Sequence, residues 1–424
     1  MQQHSVHTAP SRHDRWYEKL FLSPALGHLA ALALLLGGTQ ALSYGSWPED
    51  TNQSITLMLL AGIYVIAAYL SRHIAKFAGG QAMTWTLGAA LIATGLVVAS
   101  VLLFRISYAR TSLVVGILLL LCLQYLSIKI NQRFRQLKFA VVPSPGYQEM
   151  PTARNVQWRP LDRPSLNNCR YDGLVVDMDA DMDDDWIRFV SHCSINGLPV
   201  LDRRRVQEAL QGKVNLVRLK STDLGDLQPS PIYLSVKRAL DIVLSLSLLP
   251  LLIPICLLMA LLIRLDSPGN ALFIQQRVGR GNRVFSMYKF RSMRPDTSDK
   301  PQFADEDAHR ITRLGAFIRR FRIDELPQIF NVLKGDMSLI GPRPEQPGFV
   351  EQFEQDVPFY SYRHIVRPGI TGWAQVAHGY AVDTESTREK VEHDFYYIKN
   401  LSFGLDILIL MRTIKTVFTG FGAL

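Results

Sequence analysis

Residues 237–264 read KRALDIVLSLSLLPLLIPICLLMALLIR. The run exceeds the ~20 residues that cross a bilayer as a helix. Pro250 and Pro254 sit in its middle, where each removes a backbone donor and bends a helix. Lys237 and Arg238 precede the apolar part and Arg264 closes it. With everything upstream ending in the cytoplasm, a simple span would carry a basic C-terminal block outside, against the positive-inside rule. A helix-break-helix over about 237–264, broken at Pro250 and entering and leaving by one face, satisfies both observations.

Upstream, four apolar runs lie at roughly 21–44, 55–71, 84–104 and 111–128, each near the length of a spanning helix. Arg12, Arg15 and Lys19 precede the first, Arg72 and Lys76 follow the second, and Lys129, Arg133, Arg135 and Lys138 follow the fourth. Both ends of the block are thereby expected in the cytoplasm; Arg105 and Arg110 go against this count without reversing it. The runs hold almost no charge, so they read as an anchor and not a transport path. The polar start, Met1 to Lys19, is too long for a removable signal peptide and shows no cleavage site.

The chain of 424 residues is 48% hydrophobic, yet carries 46 Lys and Arg against 37 Asp and Glu. Long apolar runs with surplus basic charge fit a membrane protein with a basic cytoplasmic face. Zinc-finger spacing and basic helices with interleaved aromatics are missing, so nucleic acid is not an expected partner. Cys122, Cys169, Cys193 and Cys256 lie far apart, which argues against a disulfide framework.

Between the blocks, Pro143, Pro145, Pro151, Pro160 and Pro164 mark a linker. Strand-like runs at 174–177, 198–201 and 214–219 then alternate with helix-like stretches at 185–195 and 204–210. That alternation predicts a small, truncated Rossmann-like α/β unit. It lacks G-x-G-x-x-G, so no cofactor is assigned to it. Asp177, Asp179, Asp181 and Asp183 lack the glycine and glutamate of a calcium loop and read as a solvated turn.

Residues 319–344 read RRFRIDELPQIFNVLKGDMSLIGPRP. Asp324 is a candidate N-cap and Pro327 suits a first turn. Leu326, Ile329, Phe330 and Leu333 have helical spacing, and Gly335 supplies a stop. The adjacent carboxylates Asp324 and Glu325 lie between Arg319, Arg320 and Arg322 upstream and Lys334 and Arg343 downstream. A carboxylate beside guanidinium groups suits attack on phosphorus, with the arginines holding phosphate oxygens. The same pair in isolation also fits a surface salt-bridge network. Residues 275–293, QQRVGRGNRVFSMYKFRSM, add a glycine-bearing basic loop with Arg280, and Lys289 and Arg291 on a strand-like run. Such a loop wraps phosphates or lies on a membrane surface. Near the end, Phe403, Ile407, Leu410, Met411, Ile414 and Phe418 share one helical face, opposite Asp406, Thr413 and Thr416. That pattern predicts an interfacial amphipathic helix.

Taken together, KRALDIVLS, LIRLDSPGNALFIQQRVGRGN, MYKFRSM, RITRLGAFIRR, DELPQIFNVLKGDMSLIGPRPE and VRPGITGWAQV resemble the bacterial sugar transferases, the monotopic-type polyprenyl-phosphate glycosyl-1-phosphate transferases. The resemblance implies three domains: a four-helix transmembrane block (1–139), a linker with the α/β unit (140–230), and a mainly α catalytic domain (231–424). It implies that Asp324 attacks the β-phosphate of a UDP-sugar, that UMP leaves, and that undecaprenyl phosphate takes the sugar-1-phosphate. Glu325 would position or deprotonate the acceptor, and Mg²⁺ would bridge Asp324 and the diphosphate. Arg343 would bind phosphate, with Lys289, Arg291, Arg319, Arg320, Arg280 and Lys334 as further phosphate-binding candidates. The site would face the cytoplasm at a bacterial inner membrane, among its lipids, with a homo-oligomer allowed. Two other readings are a glycosyltransferase releasing UDP, for which Asp181 and Asp183 space as a DxD motif, and a non-catalytic scaffold of a polysaccharide assembly complex.

Overall fold

A computed structural model describes residues 24–46, 48–74, 83–134, 137–144, 150–151, 156–167, 169–219, 225, 227–294, 311–377 and 384–419. The chain divides into two compact units, Met1–Gln211 and Gly212–Leu424.

The first unit begins with helices α1 (Pro24–Ser43), α2 (Thr51–Ile74), α3 (Met83–Leu103) and α4 (Arg110–Phe134). Leu35, Leu60, Ile63, Ala67, Ala90, Ala93 and Leu120 form their shared core. Small residues set the spacing: a Cβ on Gly116 of α4 would fall 2.3 Å from the Leu60 side chain of α2. Thr56 within α2 accepts from the Ala109 amide at 2.8 Å, securing the first turn of α4.

A sheet follows, built from β1 (Leu137–Val141), β2 (Val156–Pro160), β3 (Gly173–Val176) and β4 (Val200–Asp202), with α5 (Asp184–Ile195) and α6 (Arg203–Gln211) between and after the last strands. The strands are parallel, in the order β2-β1-β3-β4. Ala140, Leu174 and Val176 pack against Phe189 and Cys193 of α5. β2 therefore occupies the stretch expected to be linker, and β1 begins before residue 139, the expected end of the transmembrane block. The expected third strand at 214–219 is instead a 3₁₀ turn, Leu216–Arg218, in the second unit. The side chain of Asn215 accepts from the Val217 amide at 2.9 Å, a local cap that competes with extended pairing.

The second unit opens with α7 (Pro231–Asp266), helical throughout, with Pro250 and Pro254 inside it. The helix thus continues through the break expected at Pro250; the prolines remove the donors that would reach the carbonyls of Leu246 and Pro250. Both ends of α7 are fastened to the second unit. At the start, Lys237 pairs with Asp406 at 2.6 Å, and Asp241 accepts from the Ser338 hydroxyl at 2.8 Å. At the end, Met259 and Ile263 pack with Phe290, Ile318 and Leu326. Between them the surface is apolar and open: Val243, Leu251 and Leu257 are 59%, 63% and 67% exposed. Among the described residues five helices are long and apolar enough to cross a membrane, α1 to α4 and α7.

The rest of the unit comprises an antiparallel hairpin of β5 (Leu272–Val278) and β6 (Val284–Phe290), then α8 (Arg313–Arg320), α9 (Gln328–Lys334), β7 (Ser338–Ile340) and α10 (Pro347–Asp356). After these come β8 (Gly369–Thr371), α11 (Trp373–Ala377), α12 (Thr384–Lys399) and α13 (Phe403–Thr419). Strands β7 and β8 pair in parallel. Gly341 allows the close approach that follows: a Cβ there would sit 2.5 Å from the Arg367 carbonyl. The expected interfacial face of α13 is divided. Phe403, Leu410 and Ile414 are exposed, whereas Ile407 and Met411 are buried. Asp406, expected on the solvent side, is buried because Lys237, Tyr233 and Tyr397 all bond to it.

Candidate active site

The Asp-Glu pair lies in a 3₁₀ turn, Ile323–Glu325, between α8 and α9. Pro327, not Asp324, occupies the cap position of α9. Arg322 takes a left-handed backbone, φ 54°, a conformation rare for a residue with a side chain. The chain reverses there and brings the two carboxylates onto different neighbours. Gly335, at φ 97°, ends α9 as its glycine signal predicts.

Glu325 is buried and bonded through one carboxylate oxygen. It accepts from Arg343 Nη2 at 2.8 Å, with Arg322 Nη1 at 3.7 Å. Burial opposes its ionisation, but Arg343, Lys289 and Arg322 outweigh that and hold its pKa below the ordinary value. Asp324 contrasts with it. Its carboxylate accepts no hydrogen bond and joins no ion pair among the described residues, although Lys289, Arg343 and Arg319 lie close enough to favour its charge. Burial, and next the Glu325 charge, push it up to about 6. Desolvation thus outweighs the nearby guanidinium groups.

Lys289 reaches the pair from β6. Asn331 of α9 fixes that strand, accepting from the Tyr288 amide at 3.0 Å and donating to the Ser286 carbonyl at 2.7 Å. The Lys289 ammonium has no hydrogen-bonded partner among the described residues, and burial, then Arg343 and Arg277, lower its pKa. A carboxylate and an ammonium, neither bonded among the described residues, thus lie within electrostatic reach of each other and of Arg343.

Arg343 is held from behind. Arg363 donates to its carbonyl at 2.9 Å and pairs with Asp394 at 2.7 Å, and Tyr360 bonds the same guanidinium. Arg277 donates to the Pro344 carbonyl at 3.1 Å. Glu345 bonds Arg277 and Lys390. Burial opposes its ionisation, yet Lys390, Arg363 and Arg277 hold its pKa at about 2. A carboxyl depressed in the fold stabilises it fully above its ordinary 4.5 and loses that contribution as pH falls toward 2. About 3 kcal/mol is at stake. Thermal melts of wild type and Glu345→Gln should therefore converge between pH 4.5 and 2, with wild type more stable near neutrality.

Of the candidate residues, Lys289, Arg319 and Arg343 approach the dyad. Arg291 does not: its guanidinium donates to the Pro268 and Ser267 carbonyls and the Ser267 hydroxyl, closing the end of α7. Lys334 is exposed and donates to the Tyr288 hydroxyl at 3.1 Å. Arg320 is exposed over the Phe321 ring, and Arg280 lines a separate cleft. Sequence reading missed Arg277, Arg363, Glu345, Lys390 and Asp394. Arg277 lies in the quoted basic loop and Glu345 ends the quoted DELPQIFNVLKGDMSLIGPRPE stretch, but nothing local marks the others.

Among the described residues no three His, Cys, Asp or Glu side chains converge on one point. Asp324 is the carboxylate left for a cation, since Glu325 is bonded to Arg343. One carboxylate with substrate phosphates is a donor set that Mg²⁺ accepts.

The bacterial sugar transferase profile matches residues 232–420. An Aeromonas hydrophila protein named UDP-N-acetylgalactosamine-undecaprenyl-phosphate N-acetylgalactosaminephosphotransferase is 44% identical over 419 residues, covering 97% of this chain and 99% of the relative. The chain belongs to the bacterial sugar transferase family. This bacterial sugar transferase is an enzyme of the phosphotransferase class. It is also similar to an Escherichia coli K12 protein named UDP-glucose:undecaprenyl-phosphate glucose-1-phosphate transferase, 43% identical over 190 residues, 44% of this chain and 40% of that one. A Rhizobium leguminosarum protein named Exopolysaccharide production protein PSS is 44% identical over 193 residues, 44% of this chain but 96% of the relative.

Proposed function

We propose that this bacterial sugar transferase moves a sugar-1-phosphate from a UDP-sugar to undecaprenyl phosphate and releases UMP, beginning the assembly of a cell-surface polysaccharide. The observation that carries this reading is the asymmetry of the dyad: Glu325 is bonded to Arg343, while Asp324 has no bonded partner among the described residues and lies within electrostatic reach of Lys289.

In the first step an Asp324 carboxylate oxygen attacks the β-phosphorus. The bond from that phosphorus to the bridging oxygen breaks, UMP departs, and the sugar phosphate is carried as an acyl phosphate. In the second step a phosphate oxygen of the lipid attacks the same phosphorus, and the Asp324–phosphorus bond breaks to restore the carboxylate. Lys289, Arg319 and Arg343 offset the charge that gathers on the phosphoryl oxygens. Glu325, ionised and bonded to Arg343, is a poor proton acceptor, so its role is to hold Arg343 in place. Mg²⁺, held by Asp324 and the substrate, would offset diphosphate charge.

Helices α1 to α4 serve as a transmembrane block and the four parallel strands as a truncated Rossmann-like unit. Helix α7 is read as entering and leaving the bilayer by its cytoplasmic face. The fastening of both its ends to one unit, with an exposed apolar middle, supports this.

Mixing the protein in nanodiscs with Mg²⁺, undecaprenyl phosphate and UDP-N-acetylgalactosamine, UDP-glucose or UDP-galactose tests the reading. UMP release with one donor supports it. UDP release would assign a sugar-only transferase, and no release with any donor would leave the scaffold.

A further inference from the structure

We infer that a basic cleft at the start of α7, apart from the Asp324 centre, is a second binding site that takes the phosphate group of a membrane lipid. Lys237, Arg238 and Asp241 of α7 line it together with Arg280 and Arg367, and Leu234 and Leu401 add an apolar wall.

Part of this charge has a structural purpose. Arg238 donates to the Val332 and Leu333 carbonyls at 2.6 and 3.0 Å, and Arg367 Nε to the Gly335 carbonyl at 3.0 Å. Together they cover the carbonyl end of α9, where cations are favoured. Lys237 is neutralised by Asp406. Asp241 is taken by the Ser338 hydroxyl and the Leu339 amide.

Helix capping does not account for Arg280. It is exposed and makes no hydrogen bond or ion pair among the described residues. The two terminal nitrogens of Arg367 likewise carry no bond among them. Burial, and then the nearness of Arg238 and Arg280, lower the Arg367 pKa, and the one nearby carboxylate, Asp241, offsets the three crowded guanidinium groups only in part. A phosphate group would relieve that repulsion and accept from Arg280 and Arg367 together.

The lipid origin follows from what adjoins the cleft. Leu244 and Leu248, 48% and 42% exposed, stand seven residues beyond Lys237 and Asp241 and so continue the cleft-lining face of α7, about 10 Å along the axis. A phosphate seated between the arginines can extend its apolar chain along that surface. The cleft is separate from the dyad: the charges that act on Asp324 are those of Glu325, Lys289, Arg343 and Arg319.

The phosphate could belong to the acceptor or to bulk phospholipid, and the test separates these. Full-length protein in nanodiscs containing phosphatidylglycerol, undecaprenyl phosphate or diacylglycerol is delipidated, and retained lipid is counted by native mass spectrometry. Arg280→Gln leaves every bond named above intact and should weaken retention of phosphate-bearing lipid about fivefold, with Arg280→Glu weaker still. Preferential retention of undecaprenyl phosphate assigns the acceptor as occupant, and equal retention of phosphatidylglycerol assigns a headgroup. Equal retention by wild type and both variants overturns the site, as does retention of diacylglycerol equal to that of the phosphate-bearing lipids. Full displacement by millimolar inorganic phosphate would show a free-anion site and overturn the lipid assignment. The inference rests on the membrane-facing reading of α7, but lipid retention is measured independently of UMP release, so each fails on its own.

Discussion

Asp324→Asn is expected to abolish UMP release, by at least about 1,000-fold, while leaving the protein as stable as wild type or more so. The two halves of this result have one cause. Burial and the neighbouring Glu325 raise the Asp324 pKa from its ordinary 3.8 to about 6. A carboxyl raised in the fold contributes nothing below pH 3.8, where it is protonated in both states. Its penalty grows between 3.8 and 6 and is complete above 6. At neutral pH, without added divalent cation, the asparagine should therefore gain about 1–2 kcal/mol, allowing for solvent screening. A melting temperature that holds or rises while release vanishes would mark a nucleophile kept at the expense of stability. A variant that keeps full release would remove Asp324 from the chemistry, and one that melts much earlier would make the lost activity a folding defect.

Arg343→Ala should fail in both respects. Glu325 would lose its 2.8 Å partner and remain a buried carboxylate facing Arg322 at 3.7 Å. Breaking a buried pair by removing one member costs about 3 kcal/mol or more. The phosphoryl oxygens would also lose a donor, a further loss of about 100-fold or more in turnover. Arg343→Lys separates the effects. Its ammonium restores most of the charge opposite Glu325, so the melting temperature should largely recover. It lacks the planar fork that reaches Glu325 and phosphate together, so activity should not. Recovery of both by lysine would reduce Arg343 to a source of charge.

How much of this was legible follows from the range of the forces involved. The four upstream helices were readable because ~20 consecutive apolar residues decide them locally. β2 was not, since prolines near 143–160 read as linker, and β1 was not, since Lys138 read as the basic flank of the fourth apolar run. Pro160 ends the edge strand β2, where a missing donor is harmless. Asp324 and Lys289 stood out as motif residues, but their missing partners depend on how α9 lies against β6. The solvent side assigned to Asp406 failed because its partner, Lys237, is 169 residues away. Arg291 looked like a phosphate ligand for the same reason: the carbonyls it binds sit 23 and 24 residues upstream.

The two fastened ends of α7 bear on how such a protein is put together. A segment whose first and last turns grip the same folded body does not have to be threaded through the bilayer. It can be pressed into one leaflet as that body forms. On the reading proposed for α7, membrane entry becomes a folding step of the second unit, with no demand on the helices before it. On that reading Asp324 would keep its height above the lipid surface whichever N-terminal segment preceded the second unit.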